Sequence, residues 1–549
     1  MKKITTICLL LLSGVVLSQA PKKTSKSAPL QRPKLVVGIV VDQMRYDYLY
    51  RFYDKYSEGG FKKLMNEGFN CRNNHYHYAA TYTGPGHAQI FNGSSPSLSG
   101  IVGNDWYDKN WGRMRYCTED TTERAVGNNS VAGKMSPRNM WVNNICDQLK
   151  IASIGRSKVV GVALKDRGAI LPAGHAANAA YWFDSKDGNW ISSTYYMTQL
   201  PQWAQDFNAR KLPAQYAQQT WEPLLPMNQY TESTTDDAPF ENVLQGETKP
   251  VFPHSFVAAM GNKFEELRTS PFGDQLTKEM ALAAMKGENM GRGKETDFLC
   301  VSFSSPDYIG HRFGPQSVEA QDEFLRLDKV MAEMLTALDA QVGKGNYLVF
   351  LSADHGVAET PGFERSLKIP ASNYEYGELV NASVEAALDT AFGQARWLQA
   401  YYNQEIYLNP KALADQKVTI AAAFEVVKAA LLKKKGILNV VNFHHLEQSV
   451  LPLGVLDMIR NVYHPQRSGD FYVLFEPNLL EGYRKGGSSH GTTYAYDTHV
   501  PLLFYGWGIK AGQTLGRTHI HDIAPTVAAL LKILEPNGCV GNPIEAVFK

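Results

Sequence analysis

The sequence of 549 residues lacks any apolar run long enough to cross a bilayer comfortably. Its one candidate run, Ile7–Leu17, is short, follows Lys2 and Lys3, and precedes the small residues Ser18–Ala20. A basic region, an apolar region and small residues in this order predict a signal peptide over residues 1–20. We therefore expect a periplasmic or secreted protein without stable membrane insertion.

The chain also lacks an excess of either charge and is poor in cysteine. Its 55 basic and 54 acidic residues give a formal net charge of +1, which indicates neither a nucleic-acid surface nor a polybasic anchor. Five of the six cysteines follow the predicted signal peptide, and their spacings match no zinc module. The absence of any His-Glu-x-x-His pattern excludes zinc peptidases of that helical type.

Three long apolar runs, by contrast, each lead into an aspartate. These aspartates are Asp42, Asp307 and Asp354, and the runs cover residues 33–41, 297–303 and 346–353. Apolar runs of this length bounded by turn signals are typical of buried strands. A helical pattern at 317–342 joins the second strand to the third, as in a parallel crossover unit. The pattern predicts an α/β fold with a largely parallel sheet.

Composition divides the rest of the chain. Residues 21–33 are rich in Lys, Ser and Pro and indicate a flexible lead-in, followed by a single domain at 34–549. Within that domain, weak periodicity predicts insertions at about 185–276 and 360–469, and core character returns at Phe471–Phe475. We also expect a helix at 136–149, with Ser136 as its N-cap and Pro137 at its first position.

Three histidines lie in contexts that fit metal binding. His311 follows Asp307 by four residues, so one helical turn places both on one face. His355 directly follows Asp354, and His490 lies in a turn of small residues. Ligands gather beyond the carboxyl ends of parallel strands. Six ligands without a thiolate suit two divalent ions, with zinc the best match. The six are Asp42, Asp307, His311, Asp354, His355 and His490.

Thr83 is the candidate nucleophile. It precedes Gly84-Pro85-Gly86 and a helical pattern, and the N-terminus of a helix attracts anions. A threonine hydroxyl attacks only if its proton is removed, which a bound zinc can achieve. Alternatively, Thr83 is only a helix N-cap, and the residues alone leave both interpretations open.

Three further side chains could hold an anion. Lys165 and Arg167 follow an apolar strand and, at i and i+2 of an extended segment, would point to the same side. Two such cations could clamp the oxygens of a dianion, although a solvated strand end is equally compatible with them. Asn104 could donate a hydrogen bond to the same group or simply occupy a turn.

Seven motifs together resemble the alkaline phosphatase superfamily, and within it the phosphate-irrepressible bacterial enzymes of the PafA type. They are VVDQMR around Asp42, TYTGPGH, GNDWYD, LKDRGAILPAGH, DYIGH, SADHG and the turn before His490. They span nearly the whole mature chain in the family's order. The resemblance implies a three-layer α/β/α sandwich with inserted cap segments. It also implies an alkaline phosphatase, that is, a phosphoric monoester hydrolase acting on small phosphate monoesters, and we expect a monomer.

The resemblance also assigns roles to the candidate residues. Asp307, His311 and His490 would bind one zinc, and Asp42, Asp354 and His355 the other, which also coordinates Thr83. Thr83 would attack phosphorus and become phosphorylated, while Asn104, Lys165 and Arg167 hold the other oxygens. The lysine would occupy the place of a magnesium found in other branches, so no third metal is expected. Two zincs about 4 Å apart would stabilise the attacking and leaving oxygens.

Two other functions remain open. Phosphodiesterases and nucleotide pyrophosphatases of the same superfamily share the metals and the threonine but lack the Lys–Arg clamp. A non-catalytic secreted binding protein could instead use the aromatic residues of the first insertion as a ligand platform. Those aromatic residues are Tyr195, Tyr196, Trp203, Tyr216 and Trp221.

Overall fold

The computed structural model describes residues 32–257, 264–374, 376–481 and 486–548. The predicted signal peptide and all but the end of the predicted lead-in lie outside the described residues. Residues 33–549 form one compact unit. Among the described helices, none is long and apolar enough to span a bilayer.

The strands are numbered in chain order. They are β1 (Leu35–Val41), β2 (Phe69–Cys71), β3 (Asn74–His75), β4 (Asp105–Asp108), β5 (Arg113–Tyr116), β6 (Ala125–Val126), β7 (Val159–Ala163), β8 (Ala179–Asp184), β9 (Asn189–Ser193), β10 (Thr220–Trp221), β11 (His254–Ser255), β12 (Asp297–Phe303), β13 (Tyr347–Ser352), β14 (Ser372–Tyr374), β15 (Leu398–Tyr402), β16 (Glu405–Leu408), β17 (Ile437–Asn442), β18 (Phe471–Phe475), β19 (Leu479–Glu481), β20 (Leu502–Gly506), β21 (Gly512–Thr514) and β22 (Thr518–His519).

The α-helices are numbered in the same way. They are α1 (Tyr48–Arg51), α2 (Phe61–Glu67), α3 (Thr83–Asn92), α4 (Pro96–Ser99), α5 (Ile145–Ala152), α6 (Asp166–Ala173), α7 (Gln202–Ala209), α8 (Leu212–Tyr216), α9 (Pro271–Gly287), α10 (Ser305–Phe313), α11 (Val318–Gln341), α12 (Pro361–Ser366), α13 (Tyr376–Phe392), α14 (Pro410–Asp415), α15 (Ile420–Leu431), α16 (Leu453–Arg460), α17 (Ala495–Thr498) and α18 (Ile523–Leu531).

A ten-stranded sheet forms the centre of the fold, in the order β21-β2-β20-β13-β1-β12-β7-β8-β9-β6. Strands β13, β1, β12, β7 and β8 are parallel neighbours. Strands β20 and β9 flank this block in antiparallel orientation. The predicted α/β fold with a largely parallel sheet is therefore confirmed, and α11 joins β12 to β13 across β1 as expected.

Helices cover the sheet and complete the expected three-layer arrangement. Helices α3, α5 and α6 pack together, and Cys300 and Ser302 of β12 contact Cys146 of α5 and His87 of α3. Alternate residues of β12 therefore face this layer. Helices α9, α10 and α11 pack together as a second layer, and α9 also contacts β12 and β7. Every residue of β1, β12 and β13 is buried, as strands covered on both faces require.

A smaller sheet lies in the second inserted segment and corrects one expectation. It has four strands in the order β15-β16-β18-β17 and its own hydrophobic cluster around Trp397, Val427 and Phe471. Strand β18 belongs to this sheet and not to the main sheet, but Tyr472 and Leu474 on its other face join the main hydrophobic core. The expected return of core character at Phe471–Phe475 therefore holds for packing and not for strand pairing. The segment continues past residue 469 to β19, which pairs with β14. In the first insertion, β9 still belongs to the main sheet.

The helix expected at 136–149 begins later than predicted. Helix α5 starts at Ile145, and the side chain of Asn144 accepts a hydrogen bond from the amide of Asp147 as its cap. The side chain of Asp147 accepts in turn from the amide of Asn144, which completes a capping box. This reciprocal pair satisfies two amides, whereas Ser136 and Pro137 lie in an irregular segment.

The centre of the sheet generates a stability prediction. A β-carbon on Gly38 in β1 would lie 2.6 Å from Phe350 and 2.8 Å from Phe91. Because both rings are packed in the core, Gly38→Ala should lower the free energy of unfolding by about 1–3 kcal/mol. Urea unfolding measures this. As the control, Gly454→Ala in α16 places its methyl group in open space and should not destabilise the protein. Equal free energies of unfolding for the two variants would contradict the close packing of Phe350 and Phe91 against Gly38.

Candidate active site

Four neighbouring strands deliver polar side chains to one edge of the sheet. Asp42 directly follows β1, and Asp354 follows β13 after one residue. Asp307 lies in α10, which begins just beyond β12, and Lys165 precedes α6, just beyond β7. All four are at most 5% exposed. The carboxyl ends of these parallel strands therefore bring three carboxylates and an ammonium group into a buried cleft.

The first group of ligands consists of Asp42, Asp354 and His355. One atom from each lies within 4.8 Å of the others. His355 Nε2 is 3.6 Å from Asp42 Oδ1 and 3.5 Å from Asp354 Oδ2. These three atoms are buried, and none has a hydrogen-bond partner in the described part of the chain. Ligands held at zinc bond lengths in a tetrahedron are about 3.4 Å apart, so the group fits a metal ion.

The second group contains Asp307, His311 and His490. Asp307 Oδ1 is 3.2 Å from His311 Nε2 and 3.7 Å from His490 Nε2. Asp307 and His311 share one turn of α10, as their spacing predicted. His355 adjoins this group too, because its ring stacks on His490 with the ring centroids 3.5 Å apart. Two candidate metal sites therefore lie side by side.

Main-chain carbonyls set the tautomers of all three histidines. The Nδ1 atoms of His311, His355 and His490 lie 2.8, 2.9 and 2.7 Å from the carbonyl oxygens of Ser488, Gly356 and Thr81. Since a carbonyl only accepts, each Nδ1 carries the proton and each Nε2 lone pair faces the carboxylates. Burial lowers the pKa of His355 and of His490. Neutral imidazoles in this orientation are suited to bind metal.

Lys165 bridges the two groups. Its Nζ lies 2.7 Å from Asp42 Oδ2 and 2.5 Å from Asp307 Oδ2. Burial favours the neutral amine, but the carboxylates of Asp307 and Asp42 outweigh this effect and raise the pKa of Lys165. Burial, followed by the charges of Asp307 and Asp354, raises the pKa of Asp42. One ammonium group does not neutralise this crowd of carboxylates, and further cations would stabilise their ionised form.

Thr83 is the first residue of α3 and is 1% exposed. The N-cap interpretation is wrong, because Tyr82 occupies the cap position and no side chain caps the helix. Arg167 Nη2 donates to Thr83 Oγ1 at 3.4 Å. Asn104 Oδ1 accepts from the amide of Gly84 at 2.7 Å. Arg167 and Asn104 therefore flank the hydroxyl at the amino end of the helix.

A glycine allows this helix to approach the metal ligands. A β-carbon on Gly86 would lie 2.2 Å from the carbonyl oxygen of Asp354. Only a residue without a side chain permits this approach of α3 to the end of β13. The sequence Gly84-Pro85-Gly86 thus has a steric role in addition to starting the helix.

The arrangement of Lys165 and Arg167 differs from the expected extended pair. Strand β7 ends at Ala163 and α6 begins at Asp166, so the two residues do not alternate along a strand. Lys165 contacts the carboxylates and Arg167 contacts Thr83. The expected extended geometry is therefore wrong, while a joint hold of both cations on a dianion stays a prediction.

Three contributors to the site were missed in the sequence. The main-chain N–H of Gln43 donates to Asp354 Oδ1 at 3.0 Å, and its side-chain Nε2 donates to Asp307 Oδ1 at 2.7 Å. His87 Nδ1 lies 2.8 Å from the carbonyl of Thr83 and 3.2 Å from Asp354 Oδ2. The sequence could have indicated Gln43, because it directly follows Asp42. It could have indicated His87, because a spacing of four residues from Thr83 places both on one face of a helix.

The third missed residue, Tyr116, holds Arg167. Its hydroxyl accepts from Arg167 Nη1 at 3.0 Å and donates to Asp166 Oδ1 at 2.9 Å. A fixed guanidinium group loses less freedom when it binds an anion. No local pattern links Tyr116 in β5 to a residue of α6, so only the fold reveals this contact.

The chain belongs to the type I phosphodiesterase/nucleotide pyrophosphatase family, whose model matches residues 36–497. Two named relatives are similar along almost the whole chain. The alkaline phosphatase PafA of Elizabethkingia meningoseptica is 46% identical over 540 residues, 98% of each chain. A Myroides odoratus protein named calcium-transporting ATPase is 44% identical over 531 residues, covering 95% of this chain and 96% of that one.

A solved structure matches the fold closely. A crystal structure of wild-type alkaline phosphatase PafA superimposes with a TM-score of 0.92 at 46% identity. The match covers 95% of this chain and all of that one. The expected resemblance to PafA-type alkaline phosphatases is therefore confirmed.

His355 supplies a test of the metal groups that does not depend on activity. Because it adjoins both groups, His355→Ala should lower the number of divalent ions bound per chain. Inductively coupled plasma mass spectrometry of gel-filtered protein gives that number. His445→Ala, an exposed histidine beside Glu447, is the matched control and should bind as much metal as the unaltered chain. Undiminished metal in folded His355→Ala would refute the assignment.

Proposed function

We propose that the protein is an exported alkaline phosphatase that hydrolyses small phosphate monoesters with two zinc ions and a phosphothreonine intermediate. The observation that carries this proposal is that Thr83 lies beside Arg167, and that His87 links its carbonyl to Asp354 of the metal-ligand groups. Similarity to PafA along almost the whole chain supports the choice of monoesters.

The donor set supports zinc. Asp307, His311 and His490 would hold one ion, and Asp42, Asp354 and His355 the other, adjacent to Thr83. Carboxylates and neutral imidazoles at these separations suit zinc, and the orphaned Asp42, Asp354 and His355 atoms would gain a partner. The bound ions would lower the pKa of the threonine hydroxyl and neutralise charge on the reacting oxygens. Lys165 occupies the space between the groups, so we propose no third metal.

Thr83 is the proposed nucleophile. Its Oγ1 forms a bond to phosphorus while the bond from phosphorus to the alcohol oxygen breaks, which leaves phosphothreonine. Water then breaks the threonine–phosphate bond and releases phosphate. Thr83 opens α3, and the positive end of the helix dipole there favours the negative charge of the transferring group. Placement of the hydroxyl in a buried cleft replaces bulk water by fixed dipoles.

The remaining groups neutralise and orient the phosphoryl oxygens. Arg167, held by Tyr116, donates to these oxygens from beside Thr83. Asn104 can donate with its amide nitrogen while its oxygen holds the amide of Gly84. Lys165 pairs with Asp42 and Asp307, favours their ionised forms and adds positive charge. A monoester carries more negative charge than a diester, so this cationic surround favours the monoester.

Diester hydrolysis is the competing function, because the family's name includes phosphodiesterases. A diester would need the same nucleophile and metals but less positive charge. Nothing in the described site favours the non-catalytic alternative, since each expected ligand and the threonine is present. We further propose that the chain is a monomer exported to the periplasm or the medium.

A paired assay tests the proposed function. On metal-replete protein, kcat/KM should be far higher for an aryl phosphate monoester than for its methyl diester, and a chelator should abolish both. Preference for the diester would place the enzyme among the phosphodiesterases. Absence of turnover with metal bound would refute an enzymatic role.

Arg167 tests the basis of monoester preference. Arg167→Ala should lower kcat/KM for the monoester about 100- to 1,000-fold, as loss of one transition-state donor does. Diester hydrolysis should fall much less, because less charge needs neutralising. Arg113→Ala is the control, since Arg113 is exposed and pairs with Glu119. An equal loss of kcat/KM on the monoester and the diester would show that Arg167 does not discriminate between substrates by their charge. Lys165 is unsuitable for this test because it contacts two metal ligands.

A further inference from the structure

A recess with aromatic walls opens beside the site. Its volume is about 260 Å³, and residues of five chain segments line it. Four of those residues carry phenyl or phenol rings: Tyr82, Tyr401, Tyr402 and Phe475. The volume is slightly below that of pockets for drug-sized ligands, so it suits a group of one or two rings.

The recess begins at the metal ligands. Tyr82 directly precedes Thr83, and its ring lies 5.9 Å from that of His490, which also lines the recess. His490 Nε2 in turn faces Asp307. In the proposed function, Thr83 attacks beside the group of Asp42, Asp354 and His355. The alcohol oxygen, in line on the far side of phosphorus, would therefore depart beside the group of Asp307 and His490. The carbon skeleton of that alcohol would then extend into the recess.

The polar groups of the walls are largely engaged. Gln404 Nε2 donates to the carbonyl of Gly491 at 2.8 Å, and its oxygen accepts from Tyr472 at 3.0 Å. Asn403 Nδ2 donates to the carbonyl of Asp105 at 2.9 Å. The side-chain amides of Asn403 and Gln404 therefore hold the hairpin of β15 and β16 in place. The aromatic rings remain to contact a ligand. Selection would rest on shape and ring stacking more than on hydrogen bonds.

Tyr402 is the ring best placed to contact a ligand. It ends β15, at the turn of the hairpin, and is 38% exposed. Its hydroxyl lies 3.5 Å from Asp105 Oδ2, beside Asn104 of the phosphate site. A tyrosine that served only to pack the inserted segment would be expected to bury its ring.

We propose that this recess is a subsite for the leaving group of the substrate, and that it favours phosphate monoesters whose alcohol carries a planar ring, such as benzyl or nucleoside esters. The inference rests on the proposed phosphomonoesterase activity, because it assigns the direction in which the alcohol departs. Tyr402 would be a specificity-determining residue, not part of the reacting centre.

Two alkyl esters with alcohols of similar acidity test the subsite: benzyl phosphate and ethyl phosphate. In the unaltered chain, kcat/KM should be higher for benzyl phosphate. In Tyr402→Leu that ratio should fall about fivefold, the size expected for loss of one ring contact. Turnover of ethyl phosphate should stay within about twofold, because ethyl is too short to need the ring. Tyr402→Phe should retain the ratio, since it keeps the ring.

The outcomes separate this inference from the function on which it rests. An unchanged benzyl-to-ethyl ratio in Tyr402→Leu, with ethyl phosphate still hydrolysed, would overturn the subsite and leave the phosphatase intact. Failure of the unaltered protein to hydrolyse either ester would overturn both proposals. A fall in the ratio in the control Tyr53→Leu, whose side chain bonds Asn66, would also overturn the assignment to the recess.

Discussion

Repulsion among three buried carboxylates is the constraint on which this structure depends. Asp42, Asp307 and Asp354 lie in one cleft at most 4% exposed. Burial, followed by the charges of the other two carboxylates, raises the pKa of Asp42, whereas Lys165 lowers the pKa of Asp307 and His355 that of Asp354 despite their burial. Lys165 neutralises part of this negative charge by pairing with Asp42 and Asp307. Bound cations would neutralise the remaining negative charge. The neutral imidazole of His355 faces Asp42 and Asp354 as a metal ligand would. A cleft built in this way is suited to a doubly negative substrate only when its cations are in place.

The sheet provides the rigidity that this crowding requires. Strands β1, β12 and β13 are buried along their whole length, and their ends fix the three aspartates. Helix α3 adds Thr83 at close range because Gly86 lets it contact the end of β13. The inserted four-stranded sheet has its own core and contributes Tyr401 and Tyr402 beside the site. Under the two proposals, the main sheet and α3 supply the reacting groups, and the inserted sheet supplies the selectivity.

The sequence predicts the aspartates well because each lies just beyond an apolar strand, and parallel strands end at one edge. The relation between Lys165 and Arg167 was not predictable, since it depends on a helix that begins at Asp166, directly after Lys165. The sheet to which β18 belongs was not predictable, because one face of this buried strand packs on the main core and the other on the core of the insertion. Tyr116 was missed because its partner is distant in sequence.

Detection of the covalent intermediate tests the central claim most directly. Metal-replete protein is mixed with a phosphate monoester, quenched in acid during turnover, digested and analysed by mass spectrometry. The account predicts one added phosphoryl group on the peptide that contains Thr83, localised to that residue by fragmentation and absent from Thr83→Ala. A phosphoryl group on another residue, or none while hydrolysis proceeds at the predicted metal-dependent site, would contradict it.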